Sequence, residues 1–108
     1  EKDVEFDNAY FGNIGLQSTF ASLVGLSEFS LETLILKLSN GPRSILGLDE
    51  TEIKEGVSAD LTLFDPSRTW RLEKSDICSN TFNSPYVDKE LTGFILGVIN
   101  KGKLALKD

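Results

Sequence analysis

The sequence predicts an α+β chain, helices first and strands after, because its hydrophobic period changes near the middle. In the first half Leu31, Leu34, Ile35 and Leu38 fall at i, i+3, i+4 and i+7, one face of a helix. In the second half Leu61-Thr62-Leu63 alternates. The apolar run 94–99 is then followed, across Asn100-Lys101-Gly102-Lys103, by Leu104-Ala105-Leu106, the pattern of a hairpin. With 108 residues, 40% hydrophobic and 26% charged, the chain can build one modest core.

Taken in order, residues 1–13 are acidic, then aromatic and glycine-containing, without a period, and read as an irregular loop entering a helix. Chemistry could sit on that loop. Residues 14–26 place Leu16, Phe20, Leu23 and Val24 at helical spacing, with Gly25 as a stop. Ser30 offers an N-cap oxygen to the next helix, and Glu32 suits the positive end of its dipole. Asn40-Gly41 is expected to break that helix. Pro42 then suits the first turn of a short third helix through Leu46, closed by Gly47. A half-buried strand is expected over 59–64, bounded by Gly56 and by Asp65-Pro66-Ser67, with a second short strand at Trp70-Arg71-Leu72. Residues 75–90, rich in Ser, Asn, Asp and Thr, read as a long loop held by side-chain bonds to backbone. The final hairpin should turn at Lys101-Gly102.

Charge and residue usage exclude several function classes. The 17 acidic residues outnumber the 11 basic ones, for a net charge of −6, and no basic run exists, so nucleic acid and anionic membrane are poor partners. No run approaches the length of a membrane span, and residues 1–7 lack the apolar core of a signal peptide. The lone Cys78 can form no internal disulfide, which points to a reducing compartment and a cytoplasmic protein. The absence of any Met suggests a chain cut from something longer.

There is no His, so Ser79 and Ser84 have no imidazole base. Asp3, Glu5 and Asp7 alternate like a crude cation site but lack the glycine and closing Glu of an EF-hand loop, and read better as a solvated loop. Asp49, Glu50, Glu52 and Glu55 with Lys54 read as a solvated turn. Asp60 and Asp65, flanking a strand, read as turn caps rather than as a carboxylate pair. Cys78 is expected to pack as a small hydrophobe and Trp70 to anchor a core.

An ordered set of motifs resembles the C-terminal part of dihydroorotases of the longer, bacterial type. That family shows Glu-Lys, a Phe, then Ala-Pro-Phe-Gly-x-x-Gly-Leu-Glu-Thr; here stand Glu1-Lys2, Phe6, Ala9-Tyr10-Phe11-Gly12 and Gly15-Leu16-Gln17-Ser18. Downstream, Asn-Pro-Ala-x-Ile-Leu-Gly-Leu is similar to Gly41-Pro42-Arg43-Ser44-Ile45-Leu46-Gly47-Leu48. The family's Gly-x-x-Ala-Asp-Leu-x-Leu-Phe-Asp matches Gly56-Val57-Ser58-Ala59-Asp60-Leu61-Thr62-Leu63-Phe64-Asp65. A Trp follows at Trp70, then a Ser-x-x-x-Asn-x-Pro loop at Ser79, Asn83 and Pro85, then a closing hairpin over 93–102. The resemblance covers essentially the whole chain.

What it implies is an α+β segment of an α/β protein: the active-site loop and last helices of a (β/α)8 amidohydrolase barrel over residues 1–48, and part of a small β-sandwich over 49–108. It implies an enzyme that reversibly cyclises N-carbamoyl-aspartate to dihydroorotate in pyrimidine biosynthesis. Its two metal ions, usually zinc, would be bound by His, carboxylated Lys and Asp residues upstream of Glu1. This segment alone would hold no catalytic residue and no metal. The one family site that transfers is Phe11-Gly12, whose backbone would meet substrate, since backbone approaches a ligand closely where there is no Cβ. The plainer alternative is that Gly12 and Gly15 only shape a loop before a helix. Tyr10 stands in place of Pro, and Gln17-Ser18 in place of Glu-Thr. These departures keep open a non-catalytic relative that supports aspartate carbamoyltransferase or another partner. The expected partners are otherwise the remainder of the same chain and further copies of it.

Overall fold

The computed structural model describes residues 12–26 and 28–107. Three short helical segments precede a three-stranded antiparallel sheet in the order β1-β2-β3, so the α+β expectation holds. Helix α1 spans Thr19–Gly25, α2 Leu31–Ile35 and α3 Gly41–Ile45. Strand β1 spans Leu61–Arg71, β2 Glu90–Asn100 and β3 Lys103–Leu106.

α1 starts later than the expected residue 14. The Gly15 carbonyl collects the Ser18 and Thr19 amides at 3.0 and 2.8 Å and the Thr19 hydroxyl at 2.6 Å. These bonds close a tight turn, and the regular helix begins only beyond it. Leu16 is therefore turned outward, 89% exposed, and Ala21 takes the buried position of the helix. α2 begins as expected: Ser30 is extended at φ −64, ψ 155, and its hydroxyl accepts from the Thr33 amide at 3.3 Å.

The expected break at Asn40-Gly41 does not occur. Both residues keep right-handed helical angles, and a π-helical turn, Leu36–Asn40, joins α2 to α3. Pro42 has no N–H for the Leu38 carbonyl and its ring crowds the preceding turn. The Gly41 amide reaches back to the Leu36 carbonyl instead, the wide spacing of a π turn. Gly41 fits because a Cβ there would lie 3.1 Å from that same oxygen. Of the apolar stripe, only Leu34 is buried; Ile35 and Leu38 remain 40% and 42% exposed.

The two expected short strands are one. β1 pairs with β2 from Leu61↔Ile99 to Arg71↔Glu90, with the register shifting between Asp65 and Thr69. Asp65 Oδ1 accepts from the Ser67 amide, the Ser67 hydroxyl and the Arg68 amide at 2.9, 2.7 and 3.1 Å. Pro66 thus sits in an excursion held by Asp65, outside the ladder it could not serve. The β2–β3 hairpin turns where expected: Lys101 and Gly102 both have positive φ, 49 and 73, as a tight two-residue turn requires. The long 75–90 loop opens with a 3₁₀ turn, Lys74–Asp76, in which Asp76 Oδ2 accepts from the Glu73 amide at 2.9 Å.

The core is small. Ala21, Leu72 and Leu91 form its center, with Trp70, Ile77 and Tyr86 packed around them. α1 lies on β2 at Gly93, where an added Cβ would come within 3.2 Å of Phe20 Cε1 and 3.4 Å of Val24. Phe20 also meets Phe64 at a tilt of 56°, ring centers 4.8 Å apart. Large apolar side chains stay open to solvent on the helical segments, Ile45 86% and Leu46 70%, and on the sheet, Leu104 58% and Leu106 64%. Among the described residues there is one sheet and no second layer of strands over it.

Candidate functional site

Phe11 lies outside the described residues. Gly12 follows it, exposed and in the left-handed region at φ +66, and a Cβ there would meet nothing within 4 Å. Its positive φ, rather than crowding of a side chain, is what favors glycine there. Two bonds tie this stretch to a later loop. Asn83 Nδ2 donates to the Gly12 carbonyl at 2.8 Å, and the Ile14 amide donates to the Asn83 carbonyl at 2.9 Å. Asn83 is held in turn by its neighbors: the Ser84 amide bonds the Phe82 carbonyl at 2.8 Å, the Ser84 hydroxyl accepts from the Tyr86 amide at 3.3 Å, and Tyr86 packs on the core.

α1 and the sheet form an apolar cleft of about 240 Å³ whose walls include Leu16, Gln17, Phe20, Trp70, Phe94 and Lys107. Trp70 donates its indole N–H to the Gly93 carbonyl at 2.8 Å and meets Phe94 edge-on, centers 5.6 Å apart. Lys107 Nζ lies 4.6 Å from the Trp70 ring center and 3.0 Å from Asp76 Oδ1. Trp70 is thus an anchor, as its sequence suggested, and Lys107 is a cation placed by two partners.

The acidic candidates do not converge. Asp60 accepts from Asn100 Nδ2 at 2.9 Å and pairs with Arg43 at 3.2 Å. The Asn100 bond first, and Arg43 next, hold its carboxyl below the usual range. It ties α3 to the sheet and caps no turn. Asp65 does cap, and the Ser67 hydroxyl and amide keep its carboxyl low as well. Cys78 is exposed, a correction to the expected packed position; its thiol lies 3.9 Å from the Asp76 carbonyl. Ser84 serves its own turn. Asp3, Glu5 and Asp7 lie outside the described residues.

Among the described residues no group of three or more His, Cys, Asp or Glu side chains could hold a metal ion. With no His in the sequence, the residues present do not fit a zinc center of the expected kind. The described residues can offer backbone donors and acceptors, an apolar cleft and a placed cation, but no acid–base pair and no activated nucleophile. Sequence reasoning missed Asn83, Lys107 and Arg43. The Ser79-x-x-x-Asn83-x-Pro85 spacing was the available signal for the first, and its meaning lay in a contact with a distant segment.

Fold and site together define an α+β segment in which the described residues present backbone groups, an apolar cleft and packing surface. No family model matches the sequence. The chain is 37% identical over 110 residues to a dihydroorotase of Geotalea daltonii, an alignment covering 99% of the chain and 26% of that relative. It is 35% identical over 112 residues to a dihydroorotase of Caldicellulosiruptor saccharolyticus, and 37% identical over 112 residues to one of Elusimicrobium minutum. Each of these two alignments covers 100% of the chain and 26% of the relative. The chain is similar along essentially its whole length to these dihydroorotases, and spans about a quarter of the length of the curated relatives it matches.

Proposed function

We propose that these residues are the C-terminal part of a dihydroorotase, the enzyme that reversibly cyclises N-carbamoyl-aspartate to dihydroorotate in pyrimidine biosynthesis. The observation that carries this reading is similarity along the whole chain to proteins of that one name, at 35–37% identity in the three relatives above. In this reading residues 1–48 end a (β/α)8 barrel, and the helical stripe of Ile35, Leu38 and Ile45 is covered by the rest of that barrel. Residues 49–108 contribute the three-stranded sheet to a β-sandwich whose other strands cover Leu104 and Leu106. The open apolar faces support this, because burying them would contribute about 25 cal/mol per Å² removed from water.

The segment's own share in the reaction is to bind and orient. The backbone of Phe11 and Gly12 meets the substrate, and the chain around it excludes water. Zinc and the residues that hold it belong to sequence outside this segment. The expected setting is a cytoplasmic homo-oligomer; among the described residues no helix is long and apolar enough to cross a membrane.

Gln17 favors a second reading. It lies on the cleft wall where the family carries Glu, so the charge the family has there is missing. A relative relieved of catalysis, serving instead to support aspartate carbamoyltransferase, would tolerate that loss. One experiment separates the two: purify the full-length protein that carries these residues, assay dihydroorotate hydrolysis, and measure bound metal before and after chelation. Turnover lost on chelation and restored by zinc is expected. A folded full-length protein without turnover, with or without added zinc, would overturn the enzyme reading in favor of the second.

A further inference from the structure

We propose that the cleft between α1 and the sheet is a binding site for a small carboxylate, its apolar body lodged against the aromatic walls and its oxygens taken by Lys107 and Gln17. The inference does not depend on the dihydroorotase reading, since it concerns what this cleft binds and not what the parent protein turns over. The volume of about 240 Å³ lies below the roughly 300 Å³ at which sites for drug-sized molecules begin, so one ring with a short substituent is the size that suits it. Phe20, Trp70 and Phe94 supply ring surface. Two of these walls are already in place: the Trp70 indole is bonded to the Gly93 carbonyl at 2.8 Å, and Phe94, 4% exposed, meets it edge-on. A ligand therefore need not order them on binding.

The polar lining sets the sign of the ligand. The chain carries a net charge of −6, yet among the described residues no carboxylate lines the cleft and the charged wall residue is Lys107. Its Nζ is held 4.6 Å from the Trp70 ring center and 5.4 Å from that of Phe94. Asp76 Oδ1, outside the lining, takes one of its three N–H groups at 3.0 Å. The ring faces attract the charge without accepting through a lone pair, so donors remain for a ligand oxygen. Gln17 is half-buried on the same cleft, and among the described residues its side-chain amide makes no hydrogen bond. A wholly apolar ligand would strip water from both groups and offer them nothing in return. A carboxylate brings two acceptor oxygens and one charge, which matches an ammonium and a neutral N–H₂; a phosphate calls for more donors than these two supply.

The test titrates the full-length protein that carries these residues with benzoate, and with benzamide as the uncharged counterpart, by saturation-transfer NMR and calorimetry. Benzoate is expected to bind saturably with a dissociation constant on the order of millimolar, as so small a ligand allows. Benzamide should bind at least about tenfold more weakly, the scale of a lost charge-assisted hydrogen bond. Lys107→Gln should weaken benzoate by a similar factor. Gln17→Glu keeps the side-chain length but sets a negative charge on the wall, and should weaken benzoate about tenfold while leaving benzamide within about threefold. Protected β1–β2 amides in hydrogen exchange show the variants folded. If Lys107→Gln loses that protection along with its Asp76 pair, Gln17→Glu decides alone. No saturable benzoate binding to the folded wild-type protein overturns the proposal, as when the rest of the parent chain fills the cleft. Equal affinity for benzoate and benzamide also overturns it, because the cleft would then select no charge. So does benzoate binding that Gln17→Glu leaves unchanged, which places the probe elsewhere.

Discussion

Replacing Gly93 by Ala should loosen the attachment of α1 to the sheet, and the structure separates two causes. Gly93 sits at φ +100, where an L side chain is strained, and this contributes about 1–3 kcal/mol of destabilisation. Its Cβ would also stand 3.2 Å from Phe20 Cε1 and 3.4 Å from Val24. Phe20 cannot swing away freely because its ring packs against Phe64, so the neighbors must give by a few tenths of an ångström, at roughly 1 kcal/mol, the low end of overpacking. The sum is about 2–4 kcal/mol, since the Gly93 carbonyl must also stay on the Trp70 indole. Peptide-resolved hydrogen exchange of the β1–β2 ladder in the full-length protein reads this directly. Protection should fall by about 30- to 700-fold if those amides exchange through the opening that the substitution favors. Adding Phe20→Leu should recover only the smaller, steric part. Protection unchanged within about threefold, or full recovery in the double variant, would refute the division of causes.

The 108-residue chain alone should self-associate, because Leu16, Ile35, Leu36, Ile45, Leu46, Leu104 and Leu106 leave more apolar surface open than monomers usually tolerate. Sedimentation velocity over a concentration series checks this, and a monomer at every concentration would count against the missing cover. Acid should weaken the Lys74–Asp76 turn. Burial pushes the Asp76 carboxyl up, but the Glu73 amide and then Lys107 outweigh it and hold it below its ordinary value of 3.8. A carboxyl depressed in the folded state adds stability above its unfolded pKa of about 3.9 and loses it as pH falls through the folded value. Exchange at the Glu73 amide, corrected for its intrinsic rate, should therefore speed up below about pH 4. Asp76→Asn should show faster exchange already at neutral pH and a flatter acid response; an unchanged acid response would exclude Asp76 as the cause.

What was legible in the sequence was whatever neighbors in the chain decide. Ser30 capped its helix because the bond runs only three residues ahead, and Lys101-Gly102 turned the hairpin because positive φ is a local property. What failed were the readings in which a local signal was overridden, either by a neighboring turn or by a distant partner. Asn40-Gly41-Pro42 spells a helix stop, yet the chain keeps its rotation by widening one turn. Asp65-Pro66-Ser67 spells a strand end, yet β2 runs alongside for 11 residues and pairs again from Thr69, so the excursion became a bulge. The spacing of Leu16 puts it on a buried stripe, but it faces outward, while Ala21, too small to weigh in a periodicity, took the core. The family resemblance was legible because it rests on order along the chain. The clamp on Gly12 was not, since one partner is a common loop Asn and the other a backbone atom 71 residues away.

The distribution of polar contacts bears on how the described residues keep so defined a geometry around so small a core. Among the described residues several long-range side-chain bonds join different parts: Arg43 and Asn100 meet on Asp60 to tie the last helical turn to the sheet, Lys107 reaches Asp76 from beyond β3, and Asn83 bonds Gly12. Each links segments that the small core at Leu72 does not by itself bring into register. Exposed ion pairs contribute little to stability, so the value of these contacts lies in orientation. If the open apolar faces are covered by the rest of a larger enzyme, that cover supplies the binding energy of docking, and the polar links set the angle at which the sheet hands its position to the loop. A substitution at Asn83 should then change how residues 12–14 are held, while one in the core at Leu72 should change how much of the segment is folded at all.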